Sequence, residues 1–274
     1  TTVMAAALAA FYNKIEVGHV EAGLRTGNIY SPWPEEMNRL IAGNLATMHF
    51  APTSRSRENL LKENKNPDKV YITGNTVIDA LLDALKIIES NAELKKNFAN
   101  QFSFLDKSKK LVLVTGHRRE NFGEGFVHIC NAIKRLAVRE DVQVVYPVHM
   151  NPNVRKPVNE ILGGLNNVFL IEPLDYLTFV YVMSQSYIIL TDSGGVQEEA
   201  PSLGKPVIVM RDTTERPEAV DAGTVILAGT EMEAIASSAE KLLDDEDFYH
   251  KMAHSINPYG DGLAAKRIAE LIVT

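Results

Sequence analysis

Cysteine is nearly missing from this 274-residue chain: Cys130 is the only one. No disulfide can form within the chain, and a cysteine-based metal centre is disfavoured. Cys130 sits in the apolar helical stretch FVHICNAIKRLA and is read as a core residue. No apolar run approaches the ~20 residues that a membrane-spanning helix needs, so no membrane partner is expected. A dense basic block is also missing. With 28 Lys and Arg against 35 Asp and Glu, the formal net charge is -7, which argues against a nucleic acid or an anionic membrane as partner. HExxH, Walker, GxGxxG and CxxC spacings do not occur, so no metal and no nicotinamide or other cofactor is expected. Internal repeats and low-complexity segments are absent too. This composition suits a soluble protein of a reducing cytoplasm.

What remains is an ordinary globular composition, 45% hydrophobic and 23% charged, and enough length for one large domain or two modest ones. The opening TTVMAAALAAFYNK reads as a helix interior, with no initiator Met and no capping residue clearly ahead of it. An upstream segment is therefore expected to be missing from the sequence as given.

Strand-like and helical patterns alternate along most of the length. A helix over about 2–13 precedes a short strand, IEVGHVE. A loop with Pro32 and Pro34 leads to a helix from about Glu35 to Ala46. MHFAP is a strand, SRSRENLLKEN a helix capped by Ser54, and KVYITGN a strand ending at Gly74 and Asn75. One long helical stretch, VIDALLDALKIIESNAELKKNFANQF, follows. From Lys109 the strands KKLVLVT, VQVVYPV, NVFLIEP, YIILTD and PVIVMRD recur with helices between them. Unbroken Val/Ile/Leu strands separated by helices predict an α/β protein with parallel sheets covered on both faces. The expected division is 1–74, with a C-terminal helix at about 260–274 packing back on it, and 75–259.

Four stretches carry residue types suited to chemistry. In YIILTDSGGVQEEAPSLGKPVIVM, a buried strand ends at Asp192, Ser193–Gly194–Gly195 is expected to form a tight turn, and a helix begins at Val196. Glycines let backbone N–H groups approach an anion, and a helix start adds free donors, so this is a candidate phosphate cradle. Glu199, one turn later, suits ribose hydroxyls, or is a solvated helix residue. In KLVLVTGHRRENFGEGF, His117, Arg118 and Arg119 follow a strand end and suit a leaving diphosphate, or form a solvated basic loop. In IEVGHVEAGLRTGNIYSPWPEEMNRL, Glu21 lies near a strand end and Glu35–Glu36 open a helix. Two acids converging on a pocket suit proton movement on carbon, while an acid at a helix start also complements the dipole. In VMRDTTERPEAVDAGTVILAG, Arg216 either clamps a ligand or pairs with Glu215 or Glu218. His149 ends another strand, and Asn151 is placed to cap the helix at Pro152.

The blocks GHVEAGLRTG, SPWPEEMNR, ITGNTVIDALL, VTGHRREN, YPVHMNPNVR, TDSGGVQEEAPSLGKPV, MRDTTERPEAV and NPYGDG together resemble the non-hydrolysing UDP-N-acetylglucosamine 2-epimerases, in the family's order and over nearly the whole length. The resemblance implies a GT-B-like architecture, two Rossmann-like domains facing a cleft, with the first domain incomplete here. It implies interconversion of UDP-GlcNAc and UDP-ManNAc by anti-elimination of UDP and re-addition to 2-acetamidoglucal. Through it, Glu21 and Glu35 take the acid/base positions and His117 the UDP-stabilising one. Phe179, Ser193, Gly194, Gly195, Glu199 and Arg216 become nucleotide contacts, and Glu36, Arg118 and His149 belong to an allosteric site. A homodimer is implied as well. The family's leading Gly-Thr-Arg-Pro-Glu loop and catalytic Asp have no counterpart in this sequence, so the 274-residue chain alone is expected to be inactive or nearly so.

Three other readings remain open at this point. A hydrolysing 2-epimerase would release ManNAc and UDP. A GT-B glycosyltransferase would need an acceptor and would not incorporate solvent deuterium at C2. A UDP-sugar-binding fragment would bind without turnover.

Overall fold

The computed structural model describes residues 1–273; Thr274, the last residue of the expected 260–274 segment, lies outside the described residues. The chain forms two compact units, one of residues 1–82 together with Pro258 onward, the other Asp83–Asn257.

The smaller unit is built on three short parallel strands in the order β1 (Gly18–Val20), β2 (Met48–Ala51), β3 (Val70–Ile72). Helix α1 (Thr2–Tyr12) precedes them, α2 (Glu35–Leu45) and α3 (Ser54–Lys62) join them, and α4 (Thr76–Ser90) leads away. The strands are shorter than their apolar patterns suggest. IEVGHVE is extended only over Gly18–Val20, because Glu21 turns into the left-handed region at φ 61°. KVYITGN is extended only to Ile72; Gly74, at φ 84°, then turns the chain. A Cβ there would lie 3.3 Å from the Tyr259 carbonyl oxygen, so both the conformation and the close approach call for glycine. The Asp79 carboxylate accepts from the N–H groups of Ala264 and Ala265, at the start of the last helix, Ala264–Val273.

Two local expectations are corrected. The cap of α3 is Thr53, whose hydroxyl accepts from the Ser56 N–H at 3.1 Å; Ser54 is already helical. The long stretch 77–102 is not one helix. Asn91 leaves helical geometry and caps a second helix, α5 (Ala92–Gln101), by accepting from the Leu94 N–H at 2.9 Å. An Asn side chain offers the backbone this alternative partner, which the apolar periodicity alone does not reveal.

The larger unit holds six parallel strands: β4 (Lys110–Thr115), β5 (Val142–Pro147), β6 (Val168–Ile171), β7 (Ile188–Thr191), β8 (Val207–Val209) and β9 (Val225–Leu227). Their order is β6-β5-β4-β7-β8-β9, so the chain winds outward from β4 in one direction and then returns to build the other half from β7. The connecting helices are α6 (Glu124–Leu136), α7 (Pro152–Leu162), α8 (Tyr176–Gln185), α9 (Gly194–Ser202) and α10 (Pro217–Asp221); α11 (Met232–Asp244) and α12 (Glu246–Ala253) close the unit. Strand residues alternate between two buried faces. Val112, Val144, Ile188 and Ile208 belong to one core with Ile129, Ile133, Ile235 and Leu242 of α6 and α11, and the intervening Leu113, Val145 and Ile189 are equally buried. Asn151 caps α7 as expected, accepting from the Asn153 N–H ahead of Pro152. Cys130 is fully buried in the same core, where burial raises its thiol to about 12. Among the described residues no helix is long and apolar enough to cross a membrane.

Candidate active site

In the larger unit, β4 and β7 are neighbours with Thr115 opposite Thr191, and the sheet's winding reverses between them. The carboxyl ends of two such strands are where open parallel sheets take ligands, since the outgoing chains part there and leave a crevice. The residues that follow are Gly116–His117–Arg118 after β4 and Asp192–Ser193–Gly194 after β7.

Asp192 organises this edge. It is fully buried, and its Oδ2 accepts from the backbone N–H of His117 at 2.9 Å and of Arg118 at 2.8 Å, and from Asn121 Nδ2 at 3.3 Å. Burial pushes its carboxyl above the usual range, while the backbone donors pull it back toward the ionised form. Its Oδ1 has no hydrogen-bond partner and lies 3.9 Å from His117 Nδ1. The His117 ring stacks on His149, centroids 5.2 Å apart at 14°. Burial draws His117 below its ordinary value; Asp192 opposes this, and His149 and Arg118 add to it. His149 Nδ1 takes the Asn151 N–H at 3.1 Å, which assigns its proton to Nε2. Arg118 Nε is buried without a partner.

The glycine pair after β7 is not a tight turn. Helix α9 starts at Gly194, with Ser193 as its N-cap residue, and the Ser193 side chain makes no bond back to the helix. Neither glycine adopts a positive φ. Gly194 is demanded by space instead: a Cβ would lie 2.4 Å from Arg216 Nη1 and 2.8 Å from its Cζ. The helix start thus offers its free N–H donors and an uncommitted hydroxyl at the sheet's switch point.

Arg216 is itself buried and ion-paired to Glu198 and, at 2.9 Å, to Glu215. Of the roles left open for it, the salt bridge is thus filled by Glu215, with Glu198 as a second partner the spacing did not suggest. Glu215 also binds Arg211 at 3.0 Å, and Arg211, wholly buried, reaches Glu120. Glu199 is buried rather than solvated; its Oε1 accepts from the Tyr176 hydroxyl at 2.8 Å, and burial raises its carboxyl. Phe179, one turn beyond Tyr176 on α8, is half-buried.

In the smaller unit, Glu21 and Glu35 line one cavity of about 180 Å³ together with His19, Asn38 and Arg39. Glu21 reaches it because of its left-handed turn, and Asn75 Nδ2 donates to its Oε1 at 3.3 Å. Glu35 is the exposed first residue of α2. Glu36 points inward: its Oε1 accepts the N–H groups of Thr26 at 3.1 Å and Gly27 at 3.0 Å, which pins the loop ahead of α2. His19 is held neutral, drawn down to about 4 by burial and by His49, Arg25 and Arg39.

Sequence reasoning passed over Asp192 and Arg211 as functional positions. The available signal was an acid or a base placed directly after an apolar strand, YIILT-Asp and VIVM-Arg, where a charge must be paired to be buried.

Comparison with known proteins gives a consistent result. The family model for UDP-N-acetylglucosamine 2-epimerase matches residues 1–273. The UDP-N-acetylglucosamine 2-epimerases of Yersinia pestis and of Escherichia coli (strain K12) are each 58% identical over 273 residues, covering 99% of this chain and 73% of the relative. The crystal structure of the Neisseria meningitidis UDP-GlcNAc 2-epimerase bound to UDP-GlcNAc superposes with a TM-score of 0.96 at 55% identity, over 98% of this chain and 73% of that one. An S. aureus structure with UDP gives 0.91 at 47% identity, over 98% and 72%.

Proposed function

The chain belongs to the UDP-N-acetylglucosamine 2-epimerase family, and on that premise we propose that it interconverts UDP-GlcNAc and UDP-ManNAc without net hydrolysis. The carrying observation is the His117–Asp192–Ser193–Gly194 edge, which gathers an imidazole and a helix start where a diphosphate is best held.

In this reading the nucleotide rests on the larger unit. Ser193 and the first turn of α9, including Gly194 and Gly195, meet the diphosphate, Glu199 and Phe179 meet the nucleoside, and Arg216 underpins the helix start. Glu21 and Glu35 are the proton-transfer groups, supported by their sharing one cavity. A carboxylate removes the C2 proton; that electron pair forms the C1=C2 bond of 2-acetamidoglucal as the C1–O bond breaks and UDP departs. His117 stabilises the charge on UDP. Return of a proton to the other face of C2, with a diphosphate oxygen re-forming the bond at C1, completes the inversion. Such groups contribute about 10²–10⁴-fold each when aligned.

Arg118, His149 and Glu36 are proposed for an allosteric UDP-GlcNAc site. His149 stacked on His117 supports this as a route to the diphosphate partner; Glu36 would act through the loop it pins. The wider setting we propose is a cytoplasmic homodimer making a precursor for cell-surface polysaccharide, supported by the single, buried thiol and by the family.

The test is to incubate the protein, purified from its natural source, with UDP-GlcNAc in D2O. Deuterium at C2 of both epimers with UDP retained is the expected result. Stoichiometric release of UDP and free ManNAc would replace it with the hydrolysing reading.

A further inference from the structure

Asp192 is the most buried acid at the nucleotide edge and the one whose bonding is left half complete. One carboxylate oxygen takes three donors from the loop after β4, and the other takes none although it lies 3.9 Å from the His117 ring nitrogen. A buried carboxylate oxygen without a donor is costly, so a donor that comes within reach is strongly favoured. His117 is more than two-fifths exposed by its side chain and free to make that small adjustment, whereas Asp192 is held on three sides.

We propose that Asp192 is the positioning residue for His117: it fixes the backbone of the loop through Oδ2 and, when the diphosphate binds, receives His117 Nδ1–H at Oδ1. Nε2 is then the nitrogen left to face the phosphate. An acid bonded to one ring nitrogen orients the imidazole and stabilises its cation, and a cation is the form that best meets a departing diphosphate. The groups facing His117 are Asp192, which favours the cation, and His149 and Arg118, which oppose it, together with burial. In the absence of ligand the opposing set prevails and the ring is neutral at pH 7. Diphosphate charge and closure onto Asp192 shift the balance together, so UDP binding takes up a proton.

This rests on the reading of His117 as the diphosphate's partner, and the experiment separates the two. UDP is titrated into wild type, Asp192→Asn, His117→Ala and the double variant by calorimetry at about pH 8 in buffers of different ionisation heat. Wild type is expected to take up protons on binding UDP. Asp192→Asn preserves shape but presents an NH₂ or a weaker acceptor, and is expected to abolish the uptake and weaken UDP by about tenfold. The double variant should match His117→Ala, because Asn keeps an acceptor oxygen for the His117 and Arg118 N–H groups and only the bond to the His117 ring is lost. If His117→Ala binds UDP as wild type does, the assignment of His117 itself fails. If His117→Ala weakens binding but Asp192→Asn retains proton uptake, or the two losses add, the positioning role is overturned. Should Asp192→Asn not fold, ring ¹⁵N shifts of His117 in wild type with UDP decide: a protonated Nδ1 supports the proposal and a bare Nδ1 overturns it.

Discussion

The two units treat their candidate-site charges differently. The larger one buries them: Asp192, Arg211, Glu215, Arg216 and Glu198 lie inside a six-stranded sheet's switch point, each tied to others. The smaller one, on three strands of three or four residues, leaves Glu21 and Glu35 exposed at a turn and a helix start. Paired charges inside a rigid core hold geometry but titrate poorly. Exposed carboxylates can exchange protons and need little support. The division suits a reaction in which one partner must be gripped and the other must be deprotonated.

That contrast predicts different costs for mutation. Glu21→Gln and Glu35→Gln should lower kcat by roughly 10²–10⁴-fold while leaving the urea unfolding midpoint unchanged, since neither side chain is buried. A matched loss of stability would show these acids to be structural. In the larger unit the order reverses. Arg216→Ala takes the Arg216 partner from buried Glu198 and leaves Glu215 with Arg211 alone, and should cost about 3 kcal/mol of stability, read by denaturant unfolding, with UDP binding lost alongside. An unaffected unfolding midpoint would mean that the network adds nothing to the fold.

A smaller effect comes from pH. His19 has its folded-state value drawn down to about 4 from 6.5, so the unfolded chain binds more protons between those values. Its contribution is therefore complete above 6.5 and is lost as pH falls toward 4, up to about 3 kcal/mol. The smaller unit should lose stability over this range in urea titrations, and His19→Gln should flatten the dependence. The smallest effect is a cap: Thr53→Ala should cost about 1 kcal/mol in the same unit without altering UDP affinity.

The strand ends and their polar residues were legible because β4, β7 and β8 are short Val/Ile/Leu runs, the mark of parallel strands buried on both faces, and β5 is interrupted only by Gln143 before its Tyr-Pro end. His117, Ser193 and the glycines followed from where those runs stop. What was hidden depended on partners far along the chain. Gly194 reads as a turn residue until Arg216, 22 positions later, is seen to occupy the space its Cβ would need. Asp192 reads as the end of a strand until the loop after β4 donates to it. Glu36 and Glu35 are adjacent acids at one helix start, yet a helix turns successive side chains by about 100°, so one faces inward and the other outward. The break at Asn91 and the Thr53 cap were competitions between neighbouring residues of similar propensity, settled by local geometry.

The most direct trial of the account is a crystal structure of the protein with UDP. The diphosphate should lie against Ser193, the first turn of α9 and the His117 ring. A nucleotide seated elsewhere, with that edge left to solvent, would contradict the account at its root.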